Sequence, residues 1–339
     1  MKSVFWIQLI AVALLMHATV GPSVAATGDT TIAKWHDDKK AVFLLMFDDT
    51  YPSDWQVALP ALTQRGLIAT FYINPGRVEY TKFKDKWTKD MVGAGMVLAN
   101  HTMTHKGVAD KADGEKEIGD ATQAIYDATP NLKSPRLVSF GMPGVPAGKW
   151  NLSKEDYKEL LEKYHLIDRP TFAGHGAVYH WQTPEQMLAL ADSAIAKGEM
   201  EYLVVHGIER REINWGYQDM WPLNVDILAK LLDGLKERET RGDLWVTDHI
   251  TWHCYKSERE NAKIKVLNAA SQSVSLELTC TLDSELYNHP LTLKTQVPEA
   301  WKKAQIVQGK TTKSVPAEKG LITFEAIPGA GTVQITVSQ

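Results

Sequence analysis

The run Ala41-Val42-Phe43-Leu44-Leu45-Met46-Phe47-Asp48-Asp49-Thr50 decides the fold. Seven apolar residues pass directly into two adjacent carboxylates. The run falls well short of the ~20 apolar residues of a membrane span, and it is too uniformly apolar for a strand with one wet face. It predicts a central strand covered on both sides, as in a parallel α/β sheet. Asp48 and Asp49 then lie at the C-terminal end of that strand, where open α/β sheets and β/α barrels gather their chemistry. One carboxylate could serve as a helix cap. Two like charges at the mouth of a buried strand are costly unless a cation or a proton offsets them.

About fifty residues on, Asn100-His101-Thr102-Met103-Thr104-His105 carries two histidines four apart. On a helical turn this spacing puts both imidazoles on one face, able to share one metal. Alone the spacing is a weak signal. Here it follows Met96-Val97-Leu98-Ala99, a second short apolar strand, which predicts that both pieces end at the same sheet edge. Asp49, His101 and His105 would then form a two-histidine, one-carboxylate site with open positions. Such a site suits Zn²⁺, with Co²⁺ or Ni²⁺ as alternatives.

Phe47-Asp48-Asp49, His101-Thr102-Met103-Thr104-His105 and the later Leu203-Val204-Val205-His206 resemble the motifs F-D-D, H-[ST]-x-x-H and L-x-x-H of the polysaccharide deacetylases, carbohydrate esterase family four. The resemblance runs over residues 38–255. It implies a distorted β/α barrel and metal-dependent removal of acetyl groups from glycans. It also implies roles: Asp48 as base, His206 as acid, and Asp49, His101 and His105 as metal ligands. The family carries an arginine that steadies the catalytic aspartate, in an R-x-x-P-like motif after a later strand. Here that strand, Arg136 to Phe140, leads into Gly141-Met142-Pro143-Gly144, with Gly141 where the arginine belongs. Arg136 opens the strand at the wrong end, and Arg169 of Ile167-Asp168-Arg169-Pro170 is the better partner for Asp48. A carboxylate that orients the acid histidine is also implied, and Asp168 is the candidate. Tyr51 and Met142 are candidates for the backbone donors of an oxyanion site, and Pro143, His175 and Trp215 for substrate contacts. The loop containing Phe172, His175, Tyr179, His180 and Trp181 reads either as an ordinary βα loop or as a sugar-contacting wall.

With 339 residues the chain has room for two domains, and a net charge of −4 gives no footprint for nucleic acid. Residues 1–26 read as a signal peptide: Lys2, an apolar run from Val4 to Met16, and small residues at Ser23-Val24-Ala25-Ala26. Export to the periplasm or the exterior is expected, with no membrane insertion after cleavage. Residues 27–257 form the barrel. Residues 258–339 alternate apolar and polar in short runs and predict a small all-β sandwich that packs on the barrel. Cys254 and Cys280 could pair or stay free. The expected activity is hydrolysis of N-acetyl groups on amino-sugar poly- or oligosaccharides. An O-acetyl esterase of acetylxylan type and a catalytically weak carbohydrate-binding protein are the alternatives. Nothing in the chain fixes the oligomeric state.

Overall fold

In a computed structural model of the chain, residues 26–210 and 219–338 are described. The signal-peptide expectation for residues 1–26 falls almost wholly outside them, as does Trp215. A short strand, β1 (Thr30–Ile32), precedes a parallel sheet. The parallel strands are β2 (Ala41–Asp48), β3 (Thr70–Ile73), β4 (Val97–Asn100), β5 (Val138–Phe140), β6 (Leu166–Asp168), β7 (Met200–Val205) and β8 (Leu244–Thr247). They run in the order β6-β5-β4-β3-β2-β7, with β8 also paired to β2.

Strand β2 is the predicted central strand, and all eight of its residues are buried. Strand β7 pairs along one edge from Val42 to Phe47. The other edge is divided: β8 takes Ala41 to Leu44, and β3 takes Met46 to Asp48. Alternation then sorts the side chains. Phe43, Leu45 and Phe47 enter a core beneath the connecting helices, while Val42, Leu44 and Met46 face the concave interior. The connecting helices are α1 (Leu59–Arg65), α2 (Val78–Lys82), α3 (Lys111–Gly114), α4 (Ala121–Ala128), α5 (Lys154–Lys163), α6 (Pro184–Lys197) and α7 (Val225–Thr240). Local chemistry sets their ends. Thr183 and Gln186 form a reciprocal capping box on α6, and Gly198 closes it in the left-handed region at φ 70°.

Strands β6 and β7 are edges that do not pair with each other, so the sheet is a half-barrel. Part of the gap is covered by residues 173–181, which run beside β7 through Ala177 N–H to Val204 O (2.8 Å) and Val204 N–H to His175 O (2.9 Å).

Helix α8 (His249–Asn261) leads directly into an antiparallel sheet of β9 (Ala262–Ala269), β10 (Ser273–Cys280), β11 (Leu291–Gln296), β12 (Lys303–Gln308), β13 (Thr311–Glu318), β14 (Leu321–Ala326) and β15 (Val333–Ser338). The order is β1-β11-β14-β13-β12-β15-β10-β9. The expected sandwich is present as two layers joined through one strand. The first part of β13 pairs with β12 and its last residues, Ala317 and Glu318, pair with β14. The ends β1 and β9 approach each other, so the sheet is a nearly closed barrel around Leu276, Leu293, Trp301, Phe324 and Ile335.

Thr30–Ile32, within the stretch expected to form the barrel, is an edge strand of the C-terminal sheet, in register with Leu293 to Thr295. The break expected at 257/258 falls inside α8, because the helix continues to Asn261 and β9 starts at Ala262. Nor does the C-terminal unit merely lean on the barrel. Trp35, Tyr255 of α8 and Leu291 of β11 fill the concave face against Val42, Leu44, Met46 and Tyr72. The Tyr255 hydroxyl donates to Ala33 O at 2.9 Å. Cys254 and Cys280 are free thiols.

At this joint Glu258 is fully buried, accepts the His289 N–H at 2.7 Å through Oε1, and among the described residues has no hydrogen-bond partner for Oε2. Burial pushes its carboxyl up to about 7, against the opposing pull of the His289 N–H. A folded-state pKa above the unfolded value withdraws stability as pH rises from the unfolded value through the folded one. Glu258→Gln keeps the acceptor and cannot ionise. Thermal unfolding should show it more stable than the wild type at pH 8, by up to roughly 3 kcal/mol, and nearly equal to it at about pH 4, below the unfolded-state value. Equal melting at both pH values would show that Glu258 does not titrate on unfolding.

Candidate active site

Asp48 has the parity of Val42, Leu44 and Met46, so alternation turns it into the concave interior. Asp49 would by the same rule face the helices. The backbone reverses it: Asp49 has φ 78° and Thr50 φ 63°, two consecutive left-handed residues without glycine. Such backbone is costly for side-chain-bearing residues and persists where the surroundings fix it. Here Asp49 N–H bonds Tyr72 O (3.2 Å), and Thr50 Oγ1 accepts the Asn74 N–H (2.6 Å). Both carboxylates therefore open into one buried space.

His101 follows β4 and His105 lies four residues on, but the segment is a bent loop and not the helical turn expected from the spacing. Thr102 and His105 are left-handed, with φ 67° and 60°. Side chains impose this path. The Asn74 amide donates to both His101 O and Thr102 O. Asn100 Oδ1 accepts the Thr102 N–H at 2.8 Å, and the Glu117 carboxylate accepts from the Thr104 N–H and hydroxyl at 2.9 and 2.7 Å. Asn74, Asn100 and Glu117 were not singled out from the sequence. Asn100 immediately before the first histidine was the one visible signal.

The loop brings His105 Nε2 to 3.2 Å and His101 Nε2 to 3.4 Å from Asp49 Oδ1. The ligand atoms of Asp49, His101 and His105 lie within 4.8 Å of one another. His101 Nδ1 sits 2.6 Å from Gly141 O, a group that can only accept, so Nδ1 carries the proton and Nε2 turns a lone pair toward the carboxylates. Asp49 Oδ1 is buried with no hydrogen-bond partner among the described residues. Lone pairs facing an unpartnered carboxylate oxygen repel unless a cation lies between them, and this donor set fits a divalent metal. Burial acts to raise Asp49; where protons on the facing nitrogens of His101 and His105 take the place of a cation, these two rings outweigh burial and hold the carboxyl well below the usual range. The Tyr51 hydroxyl donates to Asp49 Oδ2 at 3.2 Å. Tyr51 is thus a brace on this carboxylate.

Asp48 is gripped by Arg169 through two parallel hydrogen bonds of 2.8 and 2.7 Å. Burial alone would raise Asp48; Arg169, then His101 and His206, carry it below the usual carboxylate value. Gly141 makes the grip sterically available. A Cβ there would lie 2.6 Å from Arg169 Nε and 2.8 Å from the Tyr72 ring, on which the guanidinium rests at 4.3 Å. The missing arginine and the glycine in its place are two halves of one arrangement.

Asp168 does not take the role expected of it. Neighbours at a strand end face opposite ways, and with Arg169 turned inward the Asp168 carboxylate accepts from the Tyr157 hydroxyl at the exposed surface. His206 ends β7 with Nε2 3.9 Å from Asp48 Oδ2 and 4.0 Å from Asp49 Oδ2, while its buried Nδ1 has no hydrogen-bond partner among the described residues. Burial lowers its pKa, against the two carboxylates. His175 also departs from expectation. It stacks on Tyr202 at 3.9 Å and pairs with Glu201 at 3.1 Å, near the start of β7 and away from His206. Met142 is exposed and Pro143 buried just past Gly141, at the edge where the carboxylates lie.

Residues 36–160 match the family model described as polysaccharide deacetylase. The matched segment, just over a third of the chain, resembles the polysaccharide deacetylases. It holds Asp48, Asp49, His101 and His105; His206 and Arg169 lie beyond it. Over 336 residues the chain is 21% identical to a gellan lyase from a Bacillus species, covering 91% of this chain but only 13% of that much longer protein. Among solved structures, a family 4 carbohydrate esterase from Streptomyces lividans in complex with acetate is 22% identical with a TM-score of 0.40, over 61% of this chain and 91% of the other. A variant of the peptidoglycan deacetylase PdaC from Bacillus subtilis is 16% identical with a TM-score of 0.43, over 65% and 93%. A CE4 family pseudoenzyme from Bacillus anthracis is 16% identical with a TM-score of 0.40, over 63% and 65%.

The donor set predicts that calorimetric titration of the protein with Zn²⁺ gives one tight site. His101→Ala or His105→Ala should abolish it, whereas His206→Ala, which removes a side chain outside the donor set, should keep it. Tight binding retained in either histidine variant would place the site elsewhere.

Proposed function

We propose that this chain is an exported deacetylase that hydrolyses N-acetyl groups on amino-sugar glycans. The observation that carries the reading is the pair of adjacent buried carboxylates with divided partners: Asp49 between two imidazoles, Asp48 clamped by Arg169. A divalent ion held by Asp49, His101 and His105, with Zn²⁺ the first choice and Co²⁺ or Ni²⁺ the alternatives, would supply a Lewis acid that polarises an acetyl carbonyl and eases removal of a proton from water.

The chain's own residues do the rest. Asp48, kept ionised by Arg169, accepts a proton from the attacking water. Arg169 fixes the direction in which Asp48 presents its oxygen, since both of its hydrogen bonds run to that carboxylate. His206, on the other side of the carboxylates, donates a proton to the leaving nitrogen, which departs poorly as an anion. Backbone N–H groups near Tyr51 and Met142 are the oxyanion donors in this reading. The glycan lies along the strand-end edge past Met142 and Pro143. A leader at 1–26 carries the protein to the periplasm or beyond, and residues 27–257 and 258–339 make up the two units, with the junction adjusted to the end of α8.

Hydrolysis of O-acetyl esters is the second reading. It draws on one feature: His206 Nδ1 has no acceptor among the described residues to hold the ring as an acid, and an alkoxide leaves more easily than an amide nitrogen.

Two variants test these roles. Asp48→Asn should retain metal and fold and lose turnover by about 10² to 10⁴. Near-normal turnover would move the base elsewhere. His206→Ala should strongly impair acetamide cleavage and only mildly impair cleavage of nitrophenyl acetate, whose leaving group needs no proton. Equal losses on the two substrates would remove His206 from the acid role.

A further inference from the structure

Beside His206 lies an aromatic cluster that the proposed chemistry does not use. The His206 ring meets Phe172 edge-on at 5.3 Å and Trp221 edge-on at 4.8 Å. Phe172 and Trp221 stack on each other at 5.8 Å with planes 9° apart. Tyr179 completes the group, 4.9 Å from Trp221 and 5.7 Å from Phe172, and it is 58% exposed. An aromatic side chain that open to water, backed by the rings of Trp221 and Phe172, leaves apolar surface unburied where the fold could have covered it.

The backbone holds it there at a cost. Val178, next to Tyr179, is left-handed at φ 64°, and Trp221 is left-handed at φ 45°. Positive φ in a β-branched or bulky residue is a genuine outlier, kept only where the surroundings over-determine it. Around Val178 they do. Its N–H bonds Trp181 O (2.8 Å), and its carbonyl accepts from the Gln182 side chain. Gly176 N–H bonds His180 Nδ1 (2.9 Å), and the Trp181 indole N–H bonds Gly174 O (3.0 Å). The short loop is tied to itself and to β7, with Tyr179 at its open face. Two strained positions on separate segments serve one exposed ring.

We infer that Tyr179, seated on Trp221 and Phe172, is a stacking platform for a pyranose ring of the glycan, one sugar or more away from the acetylated residue at Asp48 and Asp49. A pyranose presents an axial C–H face that suits an aromatic plane, and a rigid ring loses little entropy on binding it. A peptide or lipid would not require a single flat ring presented beside a hydrolytic centre. The assignment rests on the deacetylase reading for the substrate class but not for the contact itself.

The test separates the two. Calorimetry with the tetramer of β-linked N-acetylglucosamine and with β-linked xylotetraose measures glycan binding without turnover, and nitrophenyl acetate, which has no pyranose ring to lay on Tyr179, measures the reaction centre. Tyr179→Ala should weaken binding of the preferred tetramer by about 3- to 10-fold, the order of one lost aromatic contact. Tyr179→Phe should bind as the wild type does. Cleavage of nitrophenyl acetate should be unchanged in both. Unaltered binding in Tyr179→Ala, or no binding of either tetramer by the wild type, would overturn the platform. So would an equal loss on nitrophenyl acetate, which would mean that Tyr179 only props His206. If binding behaves as expected but no acetyl group is released from any glycan, the deacetylase reading fails and the platform stands.

Discussion

Two carboxylates side by side at the end of a buried strand are the constraint around which this structure is arranged. Neither can be charged in that place without compensation. The fold divides the problem. Asp48 receives the guanidinium of Arg169, and Asp49 receives two imidazole nitrogens whose lone pairs make room for a cation. Each solution recruits a strand end or loop from a different part of the sheet: β6 for the arginine, β4 for the histidines, β7 for His206. The order of the half-barrel follows from this convergence as much as from burial of the apolar faces.

The parallel sheet was legible because β2 is apolar at every position and ends in charge, a pattern that few elements other than a doubly covered strand allow. The metal group was legible because its residue types are rare together. The loop geometry was not, since H-x-x-x-H fits a helix equally well. The bent path depends on Asn74 and Glu117, whose side chains bond to backbone 27 and 13 residues away, together with Asn100, which accepts the Thr102 N–H. Arg169 could be picked out as partner to Asp48 because Gly141 broke the expected motif. The inward turn of Arg169 also sends Asp168 outward, a consequence of strand alternation at a position where the register could not be read from residues alone. The path of the loop that carries His175 was not readable from residues alone either: it runs beside β7, where Gly176 pairs with Val204.

The C-terminal strands were readable one by one from their alternation. Their relation to the barrel was not. Nothing in Leu291 or Tyr255 announces that they fill the concave face of another sheet, and three polar-flanked residues at 30–32 carry too little pattern to declare a strand. The half-barrel leaves an apolar interior that a full barrel would fill from its own strands, and α8 with β11 supplies what is missing. Placing Glu258 in that joint also installs an ionisable group where two packing units meet.

The short strand β1 has a temporal meaning. Thr30–Ile32 leaves the ribosome first among the described strands, yet its partners, Leu293 to Thr295, come some 260 residues later. Through the whole emergence of the barrel the antiparallel sheet lacks its edge, and the segment leading into β2 lacks its tether. The pairing joins a segment made early to one made some 260 residues later. Contacts of such sequence separation are slow to find. That edge of the antiparallel sheet can be completed only once Leu291–Gln296 has been made.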